Sequence, residues 1–208
     1  DFHKFIAERL ESEPDAVAAF ELGFYDLTPA AILGVDGSLI ASGRLDNQVS
    51  CWAGVEGLLA SKSASPATSI VALFDHEEVG SESVHGAASP RLEWLLHALD
   101  GRGASEFRAS LALSTCISAD NAHAVHPNYP DRHEPEHRPV VNAGPVLKVN
   151  ANQRYATSPE SAAVFVSACE RSGVEHQVFV SKNNMACGTT IGPDRKSTRL
   201  NSSHANIS

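Results

Sequence analysis

The chain has 208 residues, of which 42% are apolar and 20% charged, and its net charge is −9. These values allow a sizeable folded core of one domain or one and a half, and exclude a disordered or fibrous chain. The acidic balance argues against a nucleic-acid partner, which would need a basic face, and no stretch approaches the ~20 apolar residues of a membrane span.

Periodicity predicts a helix over residues 1 to about 22, carrying Phe5, Ile6, Leu10, Val17 and Phe20 and interrupted near Pro14. Residues 23 to 43 are short apolar runs broken by Pro29, Gly34 and Gly37, hence strands and turns. Arg44-Leu-Asp-Asn47 follows the Ser38-Leu-Ile-Ala41 strand. A helix from about Gln48 to Ala60 then places Trp52, Val55, Leu58 and Leu59 on one face. A small-residue loop leads to a predicted strand, Ile70 to Phe74. Arg91 to Leu99 reads as a helix, Leu111 to Ile117 and Val146 to Val149 as strands, Ser158 to Arg171 as a helix opened by Ser158-Pro159, and Gln177 to Val180 as a strand. Alternating strands and helices indicate an α/β fold with a mixed sheet flanked by helices. The segment Asp194 to Ser208 is polar and aperiodic, and reads as a disordered, non-native tail.

Cys51, Cys116, Cys169 and Cys187 form no CxxC pair and no disulfide spacing, and read as reduced, mostly buried thiols of a cytoplasmic protein. The opening Asp1-Phe-His-Lys4 has neither an initiator Met nor a signal-peptide pattern, so the chain is expected to begin inside a longer protein.

The chemistry concentrates in Asp75-His-Glu-Glu78, which follows the predicted strand Ile70 to Phe74. Adjacent carboxylates at the end of a buried strand are costly unless a cation holds them. A metal ion bound by one glutamate, with its neighbour handling protons, resolves that cost. Asp46 and Asp120 also sit at predicted strand ends, where ligands gather in α/β sheets. Converging acids can hold two divalent ions ~3.5–4 Å apart, and a water bridging them becomes a nucleophile for a carbonyl. A free carboxylate then moves the proton to the leaving amine. His123-x-x-His126 could be a metal pair, or His123 could polarise a substrate carbonyl. His133 and His137 have helical spacing, but Pro127, Pro130, Pro135 and Pro139 argue for a solvated polar loop. By spacing alone Lys148 is an exposed strand lysine.

Asp75-His-Glu-Glu-Val-Gly-Ser-Glu-Ser83, Ser118-Ala-Asp-Asn-Ala-His-Ala-Val-His-Pro-Asn128, Gly144-Pro-Val-Leu-Lys-Val-Asn150, Arg154-Tyr-Ala156 and Cys187-Gly-Thr-Thr-Ile-Gly-Pro193, together with Arg44-Leu-Asp-Asn47, resemble the M18 family of aspartyl aminopeptidases. The resemblance covers about residues 20 to 193. It implies a zinc-exopeptidase-like sandwich, here incomplete at both ends, and an enzyme that removes N-terminal Asp or Glu from peptides with two zinc ions. By motif position Asp46 would bridge both metals, Glu78 and Asp120 would each ligate one, and Glu77 would be the general base. His123 would lie against the scissile carbonyl, Lys148 would meet the acidic substrate side chain, and Thr189 and Gly192 would belong to a substrate loop. The resemblance also implies a homo-oligomer for the full-length protein. It divides the chain into the end of an inserted oligomerisation domain (1–37), a partial metallopeptidase domain (38–193) and the tail (194–208).

The chain departs from the family pattern in its histidines. Nothing before Asp46 matches the early SHxD-like ligand segment, and Gly-Thr-Thr-Ile-Gly-Pro193 is followed by Asp194-Arg-Lys196 instead of an apolar helix leading to a second ligand His. Two alternatives therefore stand beside the aminopeptidase: a catalytically inactive fragment or assembly subunit, and a dinuclear aminopeptidase or deacylase of other specificity.

Overall fold

The computed structural model describes residues 1–61, 66–77, 79–80, 82–152 and 154–185, and the backbone of a strand at 204–207. Contacts divide the chain into two units, Asp1–Gly43 and Arg44–Ser208.

In the first unit, helix α1 (Phe2–Arg9) is capped by Asp1, whose side chain accepts from the His3 N–H. The sequence predicts a helix to about residue 22, but α1 stops at Arg9 and a short 3-10 turn follows at Pro14–Ala16. Pro14 supplies no N–H and its ring excludes the preceding turn, so the helix cannot run through it. Strands β1 (Ala31–Leu33) and β2 (Leu39–Ala41) then form an antiparallel hairpin with Ile32 opposite Ile40. The hairpin thus falls within the first unit.

The second unit opens with helix α2 (Leu45–Ala60), close to the predicted range. The run Ile70 to Phe74, predicted as a strand, has no strand assignment. Branched apolar residues become a strand only where a neighbour exchanges backbone hydrogen bonds. Here the run passes along α2 instead: a Cβ at Gly54 would touch Val71 at 3.4 Å. Helices α3 (Arg91–Asp100) and α4 (Ala104–Ala112) follow, joined by Gly101 in the left-handed region. His97 packs edge-on against the buried Phe107, with centroids 4.8 Å apart. The sequence assigns Leu111 to Ile117 wholly to a strand. In the structure Leu111 and Ala112 close α4, and strand β3 begins at Cys116 and ends at Ala119. A short apolar run fits both templates, and here Leu111 and Ala112 complete the last turn of α4.

Strands β3, β4 (Val146–Val149), β5 (Gln177–Val180) and β6 (His204–Ile207) form one sheet in the order β3-β6-β4-β5. It is mixed: β3 with β6 and β4 with β5 are parallel, and β4 with β6 is antiparallel. The composition of 194–208 predicts no element, yet 204–207 pairs within this sheet; backbone hydrogen bonding is available to any sequence without proline. Helix α5 (Pro159–Ser172) starts where Ser158-Pro159 predicts, with a reciprocal Ser158/Ser161 capping box and Gly173 closing it in the left-handed region. Leu147 of β4 packs against Phe165 and Cys169 of α5. Burial of each such apolar side chain stabilises by roughly 1.5–3 kcal/mol. Among the described residues no helix is long and apolar enough to cross a membrane.

Candidate metal centre

The first turn of α2 is distorted. Arg44 takes a left-handed φ of 62°, and Asp46 and Asn47 have non-helical dihedrals. A residue other than glycine in that region stores backbone strain, which persists where surrounding bonds over-determine it. Those bonds are visible: the Asn47 side-chain amide donates to the Ala119 carbonyl at 2.9 Å, and the Ser50 hydroxyl to Asn121 Oδ1 at 3.3 Å. They tie the start of α2 to the C-terminal end of β3. Asp46 precedes one partner of the first bond and Asp120 follows the other, so the backbone brings these two positions to the C-terminal end of β3.

Asp120 already holds a cation there. Lys148 Nζ donates to Asp120 Oδ2 at 3.0 Å and to the Asn121 carbonyl at 2.8 Å. The ammonium also lies 5.8 Å from the Tyr155 ring centroid. Lys148 is only 5% exposed, against the exposed strand lysine that spacing suggests. Strand β4 is covered on both faces, so an alternating reading fails, and the buried ammonium is satisfied by the partners just named. Its charge faces Asp120 and not open solvent.

The loop after residue 74 is held by its own side chains. His76 takes a left-handed φ of 62°. Its N–H donates to Asp75 Oδ1 at 2.8 Å, its carbonyl accepts from the Gly80 N–H at 2.8 Å, and its Nδ1 lies 3.0 Å from Ser83 Oγ. The ring meets His85 edge-on at 5.2 Å. Glu77, the expected base, is exposed on this braced loop. Glu78, Thr189 and Gly192 lie outside the described residues.

The histidines of the 120–139 segment divide. His123 is exposed. His126 Nδ1 accepts from the Asn128 N–H at 3.1 Å. His137 lies 2.6 Å from Glu134, and that bond, ahead of other causes, holds the Glu134 carboxyl below its ordinary range. His133 is buried, against the predicted solvated loop: it packs on Phe179 of β5, a tertiary contact that local composition does not encode. Among the described residues no group of three His, Cys, Asp or Glu side chains comes together as a metal site. The donor chemistry nonetheless suits zinc, since Asp46 and Asp120 offer carboxylate oxygens.

The sequence profile of a family described as Aminopeptidase I zinc metalloprotease (M18) matches residues 1–199. The chain belongs to the M18 peptidase family. It is 48% identical over 197 residues to a probable M18 family aminopeptidase 2 of Ectopseudomonas mendocina, and 48% identical over 198 residues to one of Stutzerimonas stutzeri. Each alignment covers 93% of this chain and 45% of the relative, so the chain spans about half the length of the curated M18 proteins it matches. Among solved structures, a crystal structure of prApe1 superposes with a TM-score of 0.83 at 27% identity, over 99% of this chain and 45% of that one. An M18 aminopeptidase from Thermotoga maritima gives 0.71 at 29% identity, over 86% of this chain and 42% of its own. The mixed sheet flanked by helices is therefore an M18 fold, present in part.

Missed in the sequence were the residues that hold the site rather than form it. Asn47 and Asn121 sit beside predicted acids, and their side-chain bonds join two elements. His76 lies inside the motif and braces it. A positional signal existed for all three, since each adjoins a candidate acid.

Proposed function

We propose that the full-length protein is a zinc aminopeptidase that removes N-terminal Asp or Glu from peptides in the cytoplasm. Bound zinc would supply a Lewis acid and a water of lowered pKa. Asp46, Glu78 and Asp120 would hold two ions, with Asp46 between them. Glu77 would take the proton of the attacking water and pass it to the leaving amine. His123 would hydrogen-bond the scissile carbonyl as charge develops on its oxygen, and Thr189 and Gly192 would line the substrate loop. A homo-oligomer is the expected assembly; a related structure is described as an mApe1 dodecamer.

The observation that carries this reading is the Lys148–Asp120 pair beside the start of α2. Lys148 bonds Oδ2 of Asp120, the other carboxylate oxygen would be offered to zinc, and the ammonium would meet a substrate carboxylate in a partly desolvated pocket, where an opposite charge is strongly preferred to a neutral side chain. The test compares release of N-terminal Asp and Leu by the full-length protein and its Lys148→Met variant. The native protein should prefer Asp by at least about 100-fold, and the variant should lose most of that preference, as expected for about 3 kcal/mol of differential binding. Equal rates on both peptides in the native protein would leave a general aminopeptidase.

A second reading, that this chain by itself is a non-catalytic binding subunit, is motivated by the lack of an SHxD-like ligand segment before Asp46 in this sequence. Zinc stoichiometry of the isolated chain separates the two. One weakly bound ion or none, in a stably folded chain, supports the second.

A further inference from the structure

His133 is 7% exposed, although the 3-10 turn Pro130–Arg132 that delivers it buries no residue. Its ring meets Phe179 edge-on, with centroids 5.9 Å apart and planes at 81°. Its Nε2 lies 3.0 Å from the His123 carbonyl oxygen. A carbonyl only accepts, so Nε2 carries the hydrogen. Nδ1 is buried and makes no hydrogen bond among the described residues. A phenyl ring would fill this place without leaving an unmet acceptor. What the imidazole adds is the bond from its other nitrogen.

That bond lands where the loop needs it. Asn121 is anchored through its carbonyl by Lys148 at 2.8 Å, and Val125 through its N–H by the Pro139 carbonyl at 2.8 Å. His133 holds the backbone between those two anchors, at His123 itself. We propose that His133 is a positioning residue: its Nε2–H fixes the His123 backbone and so aims the exposed His123 imidazole. The proposal rests on the reading of His123 as the group facing the scissile carbonyl, where a displacement of about 1 Å can lower turnover about 100-fold.

The test is histidine side-chain NMR on the full 208-residue chain, with His123 assigned through His123→Gln. In the native chain His133 should be the Nε2–H tautomer. His133→Phe, which keeps a ring against Phe179 but has no donor, should shift or broaden the His123 ring signals and leave those of His97 in place. His133→Gln, whose amide reaches the same carbonyl, should restore them. Unmoved His123 signals in His133→Phe, or equal shifts of His97 and His123 in both variants, would overturn the proposal. Should the Phe variant not fold, the native tautomer decides, because an Nδ1–H form rules the bond out. In the full-length protein, turnover should fall about tenfold in His133→Phe with KM little changed, and recover in His133→Gln. His123 signals that move while turnover is unaffected would keep the positioning role and reject the catalytic reading of His123.

Discussion

Lys148 and Asp120, predicted separately from the sequence, are joined by one contact. The ammonium is nearly buried and bonded to a carboxylate that is itself partly covered. Removing one member of such a pair strands the other. Lys148→Met should therefore destabilise the zinc-free chain by about 1–3 kcal/mol in urea unfolding, and a smaller loss would mean that solvent screens the pair. Glu134 offers a pH signature at the same scale. Its carboxyl is held below its usual value of 4.5, chiefly by hydrogen bonding to His137. A depressed carboxyl contributes stability above its usual value and loses it as pH falls through the lower folded value. The thermal midpoint of the native chain should thus fall more steeply below about pH 4.5 than that of Glu134→Gln. Asp120 follows strand β3 directly, as its place after a predicted strand suggests, whereas Asp46 lies in the first turn of α2 and not at a strand end. The burial of Lys148 and His133 was not legible, because it depends on Tyr155 and Phe179, partners that only the folded chain brings near.

Elements with chemical punctuation were readable almost to the residue. Ser158-Pro159 announced α5, and the short Val-rich runs announced β4 and β5. Ser158→Ala removes one half of the capping box and should cost about 1 kcal/mol by denaturant titration. Unpunctuated apolar runs were misread: Leu111 lies in the last turn of a helix, and Ile70 to Phe74 has no strand assignment. The approach to β4 depends on Gly144, which has a φ of 96° and leaves space for Glu175 O only 2.0 Å from where a Cβ would sit. Gly144→Ala should lower stability by about 2–3 kcal/mol, with circular dichroism melting as the check, because both the dihedral and the contact forbid a methyl group.

At the scale of the whole molecule, the described core is modest and large apolar side chains face outward. Phe24 is 99% exposed and Leu113 89%, and Trp94, Leu95 and Leu99 are exposed along α3. Such surface promotes association, so the isolated chain should self-associate with rising concentration in sedimentation velocity. A monodisperse monomer would contradict that expectation. The fold class was legible because alternating elements leave few architectures. The order β3-β6-β4-β5 was not, since composition carries no sign of a strand at 204–207. The proposed mechanism depends most on Glu77, exposed on the loop that His76 braces. The most direct measurement is turnover of Glu77→Gln in the full-length, zinc-loaded protein on a peptide with N-terminal Asp, with zinc content assayed in parallel. The account predicts native zinc content and a loss of about 100-fold to 10,000-fold in kcat; near-native turnover at native zinc content would contradict it.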